Sequence, residues 1–193
     1  MGRHVLVYDA PNVDMTLSNI IDGKPTPKER PDLAVLGDWL VDRAEELDDV
    51  EACVFINVAP HVAGPLRGWV LWLLEQGYRV FAKPKYGDSD VDDDMIDHLW
   101  ARYEDGDLTE VYVASNDARA FVEPLTTLAS RDVTVNVLGF SEYAGALSTQ
   151  PELTFVDLES IANLFAAPLP RVTLEGLPEE GRWFEPTGVL GRH

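Results

Sequence analysis

A chain of 193 residues, 46% hydrophobic and 25% charged, is long enough for one domain with a proper core and short for two. No apolar run approaches the ~20 residues of a membrane-spanning helix, and the single cysteine, Cys53, excludes an internal disulfide and reads as a small core residue. The net charge of −19 argues against a broad nucleic-acid-binding face, since phosphate backbones bind basic surfaces, so any such contact is expected to be local and salt-sensitive.

Met1 to Val5 enters a strand directly without the layout of a signal peptide, so a cytoplasmic location is expected. His4 to Tyr8 is an apolar run suited to a buried strand; it ends at Asp9-Ala10-Pro11-Asn12, where Pro11 is expected to turn the chain out of the sheet. The stretch from there to Pro31 reads as a long functional loop over that strand end. Its cations Lys24, Lys28 and Arg30 are candidates for contacting a phosphate backbone, or simply a solvated surface.

Helical spacing runs from Leu33 to Leu47, and Cys53 to Val58 is a second strand. Gly64 to Gln76 reads as a helix stopped by Gly77, and Tyr78 to Ala82 as a third strand closed by Lys83-Pro84-Lys85. Next come six carboxylates within the ten residues Asp88 to Asp97, with Ser89 or Asp90 placed to cap a helix reaching about Tyr103. Val91, Met95 and Leu99 share one helical face, so this acidic run is structured. Glu110 to Ala114 is a fourth strand ending in Ser115-Asn116-Asp117, followed by a helix marked by Phe121, Leu125 and Leu128. Val133 to Leu138 is a fifth strand, Glu142 to Leu147 a short helix, Thr154 to Val156 an edge strand, and Asp157 to Phe165 a helix.

From Pro168 the chain is rich in proline and glycine, so the expected division is a domain over 1–167 and a tail over 168–193. Trp183 and Phe184 suggest that the tail packs on the body or on a partner. Alternating strands and helices predict an α/β three-layer fold with a central, mostly parallel sheet of five or six strands. Ligands of such sheets bind beyond the carboxyl ends of the strands, which is where Asp9, Lys83, Lys85, the acidic run and Asp117 all fall.

Taken singly, Asp9 with Asn12, and Ser115 with Asp117, can be turn and cap residues. The acidic helix start carries far more charge than complementing a helix dipole requires, at ~0.3–1 kcal/mol per group. Gathered at one sheet edge, carboxylates of this kind are ligands for a hard divalent cation, Mg2+ or Mn2+. No Gly-rich phosphate loop, serine nucleophile elbow or Cys/His zinc spacing competes with that chemistry. His98, one turn beyond Asp94, could pair with it or be a structural histidine.

A strand ending in Asp-x-x-Asn (Asp9, Asn12), a lysine and acidic helix start (Lys85, Asp92, Asp94), and a strand ending in Ser-x-Asp (Ser115, Asp117) together resemble the NYN domain. This is the LabA-like branch of the PIN-like nucleases, and the resemblance spans about residues 3 to 140. It implies a Rossmann-like fold and a magnesium- or manganese-dependent ribonuclease, often in RNA processing or decay; single-stranded RNA is the expected partner, and a homodimer is compatible with the sequence. Carried over by position, Asp9, Asp92, Asp94 and Asp117 would be metal ligands, with Asp90 in reserve, and Asn12 a supporting or substrate-contacting amide. Beside the resemblance, the expected substrate contacts are Lys85, Ser115, Asn116 and Arg119 at the strand ends and the loop cations Lys24, Lys28 and Arg30.

The sequence departs from the family pattern at Asn116, where glycine is common, and at Arg119, where a further aspartate is expected. Arg119 could hold a phosphate, or pair with the aspartates and quiet the site. Two other functions therefore stand beside the nuclease: a catalytically weak module binding a protein or nucleic acid, and a metal-dependent phosphohydrolase of a small phosphorylated molecule.

Overall fold

The computed structural model describes residues 2–59, 63–87, 90–171, 178–181 and 183. Six parallel strands form one open sheet: β1 (Arg3–Asp9), β2 (Asp49–Val58), β3 (Arg79–Pro84), β4 (Leu108–Ala114), β5 (Thr134–Gly139) and β6 (Thr154–Asp157). Their order across the sheet is β3-β2-β1-β4-β5-β6, so the chain winds outward from β1, then returns to β1's other side and winds outward again. The reversal lies between β1 and β4, where diverging connections leave a crevice at the strand ends.

Period-two alternation distributes the apolar residues to both faces. Leu6 and Tyr8 of β1 pack with α1 (Ala10–Ile20), α2 (Leu33–Val41) and α3 (Ala63–Glu75). Val5 and Val7 pack on the opposite face with α4 (Asp92–Glu104) and α5 (Ala118–Ala129). Val91, Met95 and Leu99 are completely or almost completely buried there, as their helical spacing predicts. Among the described residues, no helix is long and apolar enough to cross a membrane.

Several local expectations are corrected. Pro11 does not open a long loop: it occupies the first turn of α1, where its missing N–H is no loss, and the connecting loop begins only after Ile20. α2 stops at Val41, leaving Leu47 exposed. Residues 141–149 form two 3-10 turns, Ser141–Tyr143 and Gly145–Thr149, separated at Ala144; the φ of +48° at Gly145 interrupts continuous helical winding. The helix expected after Asp157 is a single 3-10 turn, Leu158–Ser160; Asn163, at φ +62°, is incompatible with continued right-handed winding.

The body also continues past residue 167: Leu169 is buried, and Arg171 is bound by Glu142 and Glu159. Trp183 does not pack on the body, being 94% exposed. Phe184, Asp88 and the proposed cap Ser89 lie outside the described residues.

Candidate active site

Asp9 ends β1 and caps α1. Its Oδ1 accepts the Asn12 backbone N–H at 3.0 Å, and its Oδ2 accepts the Ser115 hydroxyl at 3.0 Å, across the reversal point. Ser115 is fully buried, and its oxygen in turn accepts the Asp117 N–H at 3.1 Å. Asp117 caps α5 through Oδ1 alone, which accepts the N–H groups of Arg119 and Ala120. The capping and ligand readings are therefore compatible: the cap of Asp117 leaves its Oδ2 outside the cap, and each Asp9 oxygen, though bonded once, has a second lone pair.

Asn12 accepts the Asn116 N–H at 2.8 Å, tying the two strand ends together a second time. The Asn116 side chain is committed elsewhere: its Nδ2 donates to the Phe140 carbonyl at 3.1 Å and its Oδ1 accepts the Phe140 N–H at 3.0 Å. This amide clamp joins β4 to the end of β5. It explains Gly139 as well, since a Cβ there would stand 2.8 Å from the clamp.

The acidic helix start is divided by helical geometry, because successive residues turn by about 100°. Asp92 faces the crevice, and Asp90, whose Oδ1 accepts the Val91 N–H, lines it too. Asp94 is turned away and forms a 2.6 Å ion pair with Lys83, so it is not gathered with the other carboxylates. The crevice itself is a cleft of about 350 Å³ lined by Asp9, Asn12, Asn57, Lys85 and the three aspartates 90, 92 and 117, with Pro11 and Met15 at its wall.

Crowding these carboxylates has an electrostatic cost. Burial, with repulsion from Asp90 and Asp117, pushes the Asp9 carboxyl up to about 6 despite the bonds from Asn12 and Ser115. Burial, with repulsion from Asp9, Asp90 and Asp117, pushes Asp92 up to about 7. An oxygen-only, multiply anionic donor set of this kind suits a hard cation such as Mg2+ or Mn2+. The amino ends of α1, α4 and α5 lie at the same sheet edge and favour negative charge there.

The remaining candidates lie elsewhere. Arg30 is held by Asp14 through two bonds of 2.8 and 2.7 Å. Lys24 and Lys28 do not line the cleft; α1 carries the chain away by about 16 Å before reaching them. Arg119 is exposed on α5, outside the cleft lining, and makes no ion pair among the described residues, so it does not neutralise the aspartates. Asn57, at the end of β2, was missed by the motif reasoning; a polar residue closing an apolar strand was its signal.

A second group is absent from the sequence motifs altogether. Glu51 and Cys53 of β2 meet His98 of α4, and their ligand atoms lie within 4.8 Å of one another, so this cluster could hold a metal ion. His98 thus pairs with Glu51, while Asp94 pairs with Lys83. Burial raises the Cys53 thiol to about 12, with Glu51 adding to the effect, and burial lowers His98. Burial would raise Glu51 as well, but bonds from Arg102 and Cys53 outweigh it and hold this carboxyl below its ordinary value.

No protein-family model and no curated protein matches the chain. It is similar to a crystal structure of a protein of unknown function from Vibrio parahaemolyticus, with a TM-score of 0.60 and 19% identity over 81% of this chain and 93% of that one. That likeness is one of fold: an α/β three-layer architecture around an open parallel sheet.

Proposed function

We propose that the cleft between β1 and β4 is a divalent-cation-dependent phosphodiesterase site and that the chain is a ribonuclease of the NYN type. The observation that carries this reading is the convergence of Asp9, Asp90, Asp92 and Asp117 on one cleft, with two of them raised by burial and mutual repulsion to about 6 and 7. Repulsion of this kind is relieved by a bound cation. Asp9, Asp92 and Asp117 would hold Mg2+ or Mn2+, with Asp90 beside them. Such an ion, when bound, acidifies a water and stabilises charge on a phosphate under in-line attack.

The chain's own residues supply the rest. Ser115 and the Asn12 N–H orient both oxygens of Asp9, while the Asn116 N–H on Asn12 Oδ1 ties the ends of β1 and β4 and the Asn116 side chain ties β4 to β5. Lys85, exposed at the cleft wall, would receive a substrate phosphate, and the helix amino ends favour its charge. One local lysine on a chain of charge −19 makes recognition short-ranged. RNA as substrate comes from the sequence resemblance; the cleft asks only for a phosphodiester.

The size of the cleft supports a second reading, since about 350 Å³ accommodates a nucleotide-sized phosphomonoester. Incubating the purified chain with mixed-sequence single-stranded RNA and, separately, with nucleotides separates the two, each with Mn2+, Mg2+ or EDTA. Metal-dependent RNA cleavage lost in Asp9→Asn supports the nuclease. Nucleotide turnover with intact RNA supports the phosphohydrolase. Inactivity on both substrates refutes both.

A further inference from the structure

The Glu51–Cys53–His98 cluster lies on the face of the sheet covered by α4, where Cys53 and His98 line a cleft of about 470 Å³ together with Phe55, Arg79, Phe81, Asp94 and Asp97. None of its three residues lines the acidic cleft, and its chemistry differs: one sulfur, one imidazole nitrogen and one carboxylate oxygen. A borderline-soft cation takes this donor set, whereas Mg2+ and Mn2+ prefer oxygen alone.

The spacing of the three atoms is specific. Cys53 Sγ lies 3.4 Å from His98 Nε2 and 3.4 Å from Glu51 Oε1, and the latter two are 3.1 Å apart. Tetrahedral bonds of about 2.3 Å to sulfur and about 2.0–2.1 Å to nitrogen and oxygen put the S–N, S–O and N–O edges at about 3.6, 3.5 and 3.3 Å. The three ligand atoms therefore stand within about 0.2 Å of the triangular face of a zinc tetrahedron. The same atoms also satisfy one another as weak hydrogen bonds, so the three ligand atoms are already gathered.

The surroundings hold the ligands in place. Arg102 Nε donates to Glu51 Oε2 at 2.9 Å, which turns Oε1 toward Cys53 and His98; outer partners that orient a ligand in this way tune metal affinity. Two guanidinium groups oppose a cation at Oε1: Arg102 Nη2 donates to it at 3.3 Å, and Arg79 stands 3.6 Å away with a side chain 67% exposed and able to swing into solvent. Phe55 packs edge-on against the His98 ring and fixes its plane.

We propose that Glu51, Cys53 and His98 form a zinc-binding site, separate from the acidic cleft, with three protein ligands and a fourth position open to the neighbouring cleft. Zinc takes the thiolate, so the Cys53 proton passes to solvent on binding. The ion ties β2 to α4.

Cys53 is the chain's one cysteine, so cobalt(II) is a selective probe: any sulfur-to-cobalt charge-transfer absorption reports this residue. Titration of the full chain with Co2+ is expected to raise that band to a stoichiometric end point, and Zn2+ to abolish it by displacement. His98→Gln should weaken cobalt binding at least tenfold and Arg102→Met by about 10–100-fold. Asp9→Asn should leave the band unchanged. Absence of the band in the unaltered protein, which requires no variant to fold, overturns the proposal. So does a band of equal affinity in His98→Gln, which would mark adventitious binding by the thiol alone.

Discussion

Replacing Asp9 by Asn should stabilise the protein while destroying the acidic site. Asp9 is only 2% exposed, and its carboxyl is raised from 3.8 to about 6. At about 1.4 kcal/mol per unit, ionising it in the folded state costs roughly 3 kcal/mol at pH 8. Asn caps a helix as well as Asp does, so the Asn12 bond persists. The Ser115 hydroxyl loses its charged acceptor, a loss of about 1–2 kcal/mol. The net expectation is about 1–2 kcal/mol of stabilisation, or roughly 2–8 °C for a chain of this size.

The pH dependence follows from the raised folded value. The folded state holds a proton that the unfolded state releases near 3.8, so wild-type stability from this group is complete below that pH and lost as pH rises through about 6. Asp92, raised to about 7, extends the loss upward. Thermal and urea unfolding in EDTA at pH 4 and pH 8 check this. Asp9→Asn should gain on wild type only at pH 8, and Mn2+ should reverse the order by stabilising wild type alone. If Asp9→Asn is less stable than wild type at pH 8 in EDTA, the carboxylates do not repel as described and the cation-site reading loses its main support.

Asp117→Asn and Asp117→Ala should both abolish metal-dependent cleavage, but only the alanine variant should lose the α5 cap and about 1 kcal/mol in a urea titration. Asn116→Gly should cost about 2–3 kcal/mol by unfolding midpoint, because the Phe140 N–H and C=O both lose their partner. Asp94→Asn should leave Mn2+ affinity and cleavage unchanged and cost less than about 1 kcal/mol, since its pair with Lys83 is half-exposed and outside the cleft.

Strand and helix succession, the two-faced sheet and the placement of chemistry at strand ends were legible because they follow from local periodicity and chain direction. The same pattern placed Asp9 and Asp117 at strand ends but left open whether they were helix caps or ligands; the structure shows both as caps that also face one cleft. Segment ends were less legible where a single backbone angle decides them, as at Gly145 and Asn163. Asp94 shows a different limit. It and Asp92 are equivalent in sequence, but a 200° difference in direction around α4 sends one to the cleft and the other to Lys83.

Arg119 and Asn116 likewise look like parts of one motif, yet one lies in solvent and the other clamps β5. The Glu51–Cys53–His98 cluster had no sequence signal, since His98 lies 45 residues from Cys53 and no ligand spacing links them. Periodicity and composition act along the chain and establish which elements form and which ends carry charge. Which side chains share a space depends on strand order and helix rotation, and those are set by packing between segments far apart in the chain.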